Sequence, residues 1–142
     1  MSLDNLLTHS ALAGMRSLRQ WMIYTAYADA NKPGKLIKLP LHPATGSPCS
    51  VVDPANWSDI ETAADSVRRM GEGFGLAFCF TESDPYWFID LDGCKQADGS
   101  WSPLAQQLVT QVLPGAALEI SASGKGLHLF GRGTVPQHAS KN

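Results

Sequence analysis

Two aspartates lie one residue apart in the apolar string FIDLDG, residues 88–93. Side chains two positions apart on a strand point to the same face, so Asp90 and Asp92 should lie side by side. Adjacent carboxylates repel each other, and a divalent cation such as Mg²⁺ or Mn²⁺ would stabilise the pair. The alternative is that Asp92 belongs to an Asp-Gly turn and Asp90 is a surface charge at the end of a strand.

A loop of small residues, SASGKGLH at positions 121–128, could bind phosphate. Small residues let the backbone approach an anion closely, and consecutive amides can form an anion nest. Lys125 adds a positive charge, and His128 can donate to phosphate from the start of the next strand. The alternative is an ordinary glycine-rich turn with a surface lysine. A Walker A loop is excluded, because the GxxxxGK[ST] spacing fails and Gly126 stands where Ser or Thr is required.

Three lysines, Lys32, Lys35 and Lys38, recur at every third position in a segment rich in proline and glycine. With His42 nearby, these side chains could line a path for a nucleic-acid backbone or a triphosphate. The alternative is a solvated loop without a partner.

The elements that must position these residues follow from hydrophobic spacing and turn residues. A capping box at Ser58 and Glu61 should start a central helix. A long loop is expected over residues 28–53, and the strands at 76–80 and 86–91 could form a hairpin. Helices are predicted over 4–19, 58–70 and 102–112, and strands over 21–27, 76–80, 86–91, 117–121 and 127–131.

The frequent succession of one strand by another favours an α/β (α+β) fold with a mixed, largely antiparallel sheet and flanking helices. A chain of 142 residues suits a single domain over 1–142, and residues 134–142 have the composition of a tail or linker. Hydrophobic residues make up 44% and charged residues 17% of the chain, which is typical of a globular protein.

Charge, cysteine content and the lengths of apolar runs argue against several classes of protein. The net charge of −2 argues against a basic coat for nucleic acid, but a local basic groove is still possible. Three cysteines without a CxxC pair predict free thiols in a reducing compartment rather than a zinc site. No apolar run approaches the roughly 18 residues of a membrane span, and no secretory signal is recognisable at the first residues.

Taken in order, these strings resemble the N-terminal domain of bifunctional primase-polymerases of phages and plasmids, in the archaeo-eukaryotic primase superfamily. The resemblance covers roughly residues 20 to 133. It takes in Trp21, the string GKLIKLP at 34–40, Asp53-Pro54, Trp57, the glycine run that leads into Phe78, IDLDGC at 89–94 and SASGKGLHLF at 121–130.

The resemblance implies an archaeo-eukaryotic primase-like core that carries out two-metal nucleotide addition on a DNA template, with NTPs or dNTPs as substrates. It also implies a helicase domain on a longer chain and a location in the cytoplasm of a bacterial host. The residues so implied are Asp90, Asp92 and His128 for catalysis, Asp90 and Asp92 for Mg²⁺ or Mn²⁺, Ser121, Ser123, Gly124, Lys125 and His128 for the nucleotide, and Lys35 and Lys38 for the nucleic-acid or phosphate path.

The chain departs from this family at one point. Such enzymes use a third carboxylate on a strand after the histidine motif, whereas no Asp or Glu follows His128 here. The expectation is therefore the N-terminal part of a catalytic domain, which folds and binds metal or nucleotide but catalyses poorly. Three alternatives stay open: a non-catalytic nucleic-acid-binding module, another metal-dependent phosphotransferase or nuclease that uses Glu119 or Asp98, and a purely structural domain.

Overall fold

A computed structural model of the chain describes residues 3–112, 116–121 and 124–133. The predicted tail, residues 134–142, and Ser123 lie outside these residues. The helices are α1 (Leu3–Thr8), α2 (Ala13–Arg16), α3 (Ile60–Met70) and α4 (Pro103–Gln107), with 3₁₀ turns at Ser10–Leu12 and Pro54–Asn56 and a π-helical turn at Leu108–Val112. The strands are β1 (Trp21–Ala28), β2 (Leu36–Leu41), β3 (Phe74–Phe78), β4 (Tyr86–Leu91), β5 (Ala117–Ile120) and β6 (Leu127–Arg132).

The strands form two antiparallel sheets, each of three strands. The first has the order β2-β1-β3, and the second has the order β4-β6-β5. The predicted α+β class with antiparallel pairing is confirmed, although the strands divide between two small sheets instead of one.

Helix α3 packs on the first sheet and forms the main core with it. Ile60 and Ala63 of the helix contact a cluster that includes Trp21, Ile23 and Leu41, all almost fully buried. The indole nitrogen of Trp21 donates to the carbonyl of Met15 over 3.0 Å, so its one polar group is satisfied inside this core.

The two faces of the second sheet have different neighbours, as expected from the alternation of side chains along a strand. On one face, Ala117 and Phe130 pack against the core of the first sheet. On the other face, Leu127 and Leu129 form a smaller core with Ala105 of α4. Asp90 and His128 belong to the first of these faces, because His128 lies two positions from Phe130 and is paired with Asp90.

Strand β2 lies inside the segment that was predicted to be a loop. The sequence LIKLPL contains Pro40, which is usually a sign of irregular structure. Strand β2 is at the edge of its sheet, however, and there the missing amide proton of a proline is tolerated. The prediction of a continuous loop over residues 28–53 is therefore wrong.

The hairpin considered between the third and fourth strands does not form. Strand β3 pairs with β1, whereas β4 pairs with β6, in the other sheet. The intervening segment makes a turn, in which the carboxylate of Asp84 accepts from the amide of Thr81 and from the side chain of Gln20. Adjacency in sequence suggested the pairing, but long-range contacts decide it.

Two predicted helices also differ, one at its cap and one in its continuity. Asp59, not Ser58, caps α3: its carboxylate accepts from the amide of Thr62 over 2.8 Å. The hydroxyl of Ser58 donates to the carbonyls of Asp59 and Trp21 instead. The helix predicted over 4–19 is divided into α1, a 3₁₀ turn and α2, where the ring of His9 accepts from the amide of Ala11.

All three cysteines lie in the described residues and are unpaired, as predicted. Within those same residues, every helix is too short or too polar to traverse a lipid bilayer.

Candidate active site

Three ionisable side chains lie in a row across the second sheet. Asp90 on β4 is the direct partner of His128 on β6, and Glu119 on β5 is the partner of His128 on the opposite side. Directly opposed residues of antiparallel strands project to the same face. The central strand therefore presents a histidine flanked by two carboxylates.

Each ring nitrogen of His128 faces one of these carboxylates. Its Nε2 is 3.5 Å from Oδ1 of Asp90, and its Nδ1 is 3.7 Å from Oε2 of Glu119. The side chain of His128 is 13% exposed and that of Asp90 is 43% exposed. The histidine is thus held from both sides, while Asp90 keeps oxygen atoms open to a ligand.

Glu119 is the more enclosed of the two carboxylates. Burial acts to raise its pKa, but the hydrogen bond with His128 and nearby positive charges, Lys38 among them, together outweigh burial, and the pKa lies below the ordinary value of 4.5. Glu119 is therefore ionised at neutral pH and supplies a fixed negative charge beside the histidine.

A cleft of about 400 Å³ opens between the two sheets beside this row. Its polar groups are Glu119, His128, Lys38 and Tyr24, and its remaining lining is apolar and half aromatic. The ammonium group of Lys38 lies 4.9 Å from the centre of the Tyr24 ring, a cation–π distance. Burial, and secondarily the charge of Glu119, raises the pKa of the Tyr24 hydroxyl.

Asp92 lies beyond the end of β4, in the turn with Gly93, whose φ of 58° is a left-handed conformation. The strand geometry from which the two aspartates were predicted to lie side by side therefore applies to Asp90 only. The turn interpretation, considered from the sequence, describes Asp92 correctly. Both carboxylates are on exposed residues, so solvent and ligands can reach them.

The glycine-rich loop is the connection between β5 and β6. The hydroxyl of Ser121 accepts from the amide of Gly126 over 2.9 Å, and the Ser121 carbonyl accepts from the amide of Gly124 over 2.8 Å. The amides of Gly124 and Gly126 thus close the turn. The carbonyl of Lys125 accepts from the amide of Lys95, which ties the loop to the segment after Asp92.

The two lysines of the predicted phosphate path have different positions. Lys38 lies on β2 and lines the cleft. Lys35 lies in the exposed turn before β2, where its backbone bonds to Lys32 and Asp29, and it is not part of the cleft lining. The structure thus brings Lys38, but not Lys35, to the site.

The available carboxylates suit a cation whose coordination would be completed by a bound substrate. Across the described residues, no three His, Cys, Asp or Glu side chains are arranged to hold a metal ion. Mg²⁺, however, is commonly bound by one or two carboxylates together with substrate phosphates and water. The exposed oxygens of Asp90 and Asp92 fit this second kind of site.

Sequence reasoning gave little weight to Glu119, which was considered only for another class of enzyme. An acidic residue inside the apolar string ALEI is the signal that could have drawn attention to it. Its partner became visible only through the register of β5 against β6.

Comparison with known proteins finds a relative that is similar to most of the chain. The chain is 34% identical to the DNA primase-polymerase of Nitratiruptor phage NrS-1 over 132 residues, which cover 90% of this chain. The similarity supports a relationship to primase-polymerases. The chain spans only 17% of the length of that relative. No known protein-family model matches the chain.

Proposed function

We propose that this chain forms a nucleotide-binding and metal-binding part of a primase-polymerase, a nucleotidyl transferase that adds NTPs or dNTPs to a strand on a DNA template. The observation that carries the proposal is the row of Asp90, His128 and Glu119 beside an open cleft, within a segment similar to a phage primase-polymerase. The chain spans 17% of that relative, so template, helicase partner and bacterial cytoplasmic location are part of the proposal.

Asp90 and Asp92 would hold Mg²⁺ or Mn²⁺. When bound with the triphosphate, such an ion neutralises phosphate charge and favours attack by a 3′-hydroxyl. Asp90 is well suited to this role because its side chain is 43% exposed and its strand fixes its position. Asp92 follows in the turn, from which it can adjust when the phosphates arrive.

His128 would donate a hydrogen bond from Nε2 to a phosphate oxygen of the nucleotide once Asp90, which faces that nitrogen, holds the metal ion. Its ring is oriented by the two carboxylates, one on each nitrogen side. Lys38 would supply a positive charge from the opposite wall of the cleft, and Lys125 would supply one from the loop. In phosphoryl transfer, such positioning and charge stabilisation are the main contributions of the protein.

Glu119 would serve the site through His128, because it lies on the opposite side of that ring from Asp90. It reaches the same face from β5, before the histidine in the chain, and is held ionised. Its closest partner is His128, so its first role is to orient and charge-balance that ring.

Thermal melting with ligands tests the proposal. A ligand that binds only the folded state raises the melting temperature by mass action. At a ligand concentration of 100 Kd, the unfolding free energy increases by about 2.7 kcal/mol. Mn²⁺ with a dNTP should raise the melting temperature of the parent more than either alone. The Asp90→Asn/Asp92→Asn variant should lose that joint response.

Asp65→Asn provides the matched control, since Asp65 is an exposed aspartate on α3 that pairs with Arg68. This variant should respond to Mn²⁺ and dNTP as the parent does. An undiminished response in the double variant would refute the metal role of the pair. Stabilisation by single-stranded DNA with no effect of Mn²⁺ would favour the non-catalytic DNA-binding module instead.

A further inference from the structure

A cluster of aromatic rings lies directly beside Asp90 and His128. Phe88 is two residues before Asp90 on the same face of β4, and its cross-strand partner is Phe130 on β6. The ring centres of Phe88 and Phe130 are 5.2 Å apart. Phe80, which follows β3 of the first sheet, approaches Phe88 to 6.2 Å with the ring planes 39° apart. Rings from both sheets thus meet at the cleft.

Two of these rings are unusually open to solvent for such large apolar groups. Phe80 is 40% exposed and Phe88 is 43% exposed, and both line the cleft. Leaving them exposed gives up part of the stabilisation that burial of an aromatic side chain would provide. A contiguous exposed apolar surface beside convergent polar groups is typical of a binding site.

The chemistry around the rings points to one occupant. An apolar peptide or lipid would place an uncharged ligand against Lys38, which lines the cleft, and near Asp90, which is paired with the cleft residue His128. A nucleobase stacks on aromatic side chains whatever its sequence identity, while its phosphates match cationic groups and metal-binding carboxylates. The distance along β4 from Phe88 to Asp90 is roughly 6.6 Å, two residues of strand, which a pentose can bridge.

We propose that Phe88, with Phe80, forms the surface on which the base of the bound nucleotide stacks, and that these two rings position the nucleotide relative to Asp90. This proposal rests on the proposed function, because it assigns the base of the same nucleotide. Phe88 is the main contact, since its ring is also 5.2 Å from the ring of His128. A base on Phe88 would therefore lie beside the histidine that binds its phosphates.

Calorimetric titration of the whole chain separates base binding from phosphate binding. The ligands are dATP with Mn²⁺, inorganic tripolyphosphate with Mn²⁺, and single-stranded oligo(dA) without metal. Phe88→Leu should weaken dATP binding about tenfold, or ~1.4 kcal/mol, and leave tripolyphosphate binding unchanged. Phe88→Tyr keeps the ring and should bind dATP as the parent does.

Tyr27→Leu is the control, since Tyr27 is an exposed aromatic residue on β1 that does not line the cleft. It should bind dATP as the parent does. Equal weakening of dATP and tripolyphosphate binding in Phe88→Leu, or no weakening of dATP binding, would overturn the stacking proposal. Phe80→Leu, whose substitution lies outside the strands, checks the result if Phe88→Leu loses its fold.

Failure of the proposed function gives a different pattern. If the parent binds neither tripolyphosphate nor dATP in the presence of Mn²⁺, the proposal of a metal-dependent site is wrong. The oligo(dA) titration then decides alone whether bases stack on these rings. Weaker oligo(dA) binding by Phe88→Leu would then keep the rings as a base-binding surface for single-stranded nucleic acid. Unchanged oligo(dA) binding would overturn it.

Discussion

Asp90, His128 and Glu119 form a candidate site only because they lie next to one another. Each residue alone is compatible with a surface charge or an ordinary strand position, but the register of three strands places them in a row. Their local sequence strings indicated Asp90 and His128 as candidate site residues. The sequence could not pair them with Glu119, since pairing between strands depends on contacts far apart in the chain. Lys38 was predicted as part of a path, and its place over Tyr24 required β2, which the sequence did not reveal.

The acid sensitivity of folding should depend on Glu119. Because its pKa is below 4.5 in the folded protein, the unfolded chain binds the proton more readily as the pH falls. The stability from this group is fully present above its unfolded-state pKa and is lost as the pH falls through the lower, folded-state pKa. Glu119→Gln should therefore show a smaller loss of unfolding free energy on acidification than the parent, as measured by urea denaturation from neutral pH to below 4.5.

Glu61→Gln on α3 is a suitable comparison, because it removes one exposed glutamate that is not part of the row. The role assigned to Glu119 is contradicted if its variant loses stability in acid as steeply as the parent and the Glu61 variant do.

At the scale of elements, the sequence predicted those strands whose bounds are determined by local residue patterns. Strand β4 was predicted with its actual bounds, and strands β1, β5 and β6 to within one residue at each end. Features that depend on tertiary packing were missed: the edge strand β2 and the separation of β3 and β4 into different sheets. The same reason explains the cap of α3, where Ser58 is drawn into a bridge with Trp21 and leaves the capping position to Asp59.

Substitutions at the start of α3 test this assignment. Asp59→Ala removes the side chain that accepts from the amide of Thr62 and should reduce the unfolding free energy by about 1 kcal/mol. Asp59→Asn keeps an acceptor and should lose much less. Chemical denaturation of the two variants and the parent provides the measurement, and equal stability of all three would argue against Asp59 as the cap.

At the scale of the whole molecule, the candidate site lies where two small sheets meet. The first sheet contributes Lys38 and Tyr24, the segment after β3 contributes Phe80, and the second sheet contributes His128 and Phe88, so the cleft has charged and aromatic groups from both sides. The predicted class of α+β fold was correct, but a class alone does not predict a cleft. The primase-polymerase resemblance suggested from the sequence agrees with the similarity to the phage enzyme, and that similarity covers most of the chain.

Binding of Mn²⁺ itself is the most direct test of the central claim. Free Mn²⁺ gives a strong paramagnetic resonance signal, which weakens when the ion binds protein. Our account predicts that the parent chain with dATP removes more of this signal than dATP alone, and that Asp90→Asn/Asp92→Asn abolishes the difference while Asp65→Asn preserves it. Equal Mn²⁺ binding by the parent and the double variant would contradict the account, because the paired aspartates would then not hold the ion.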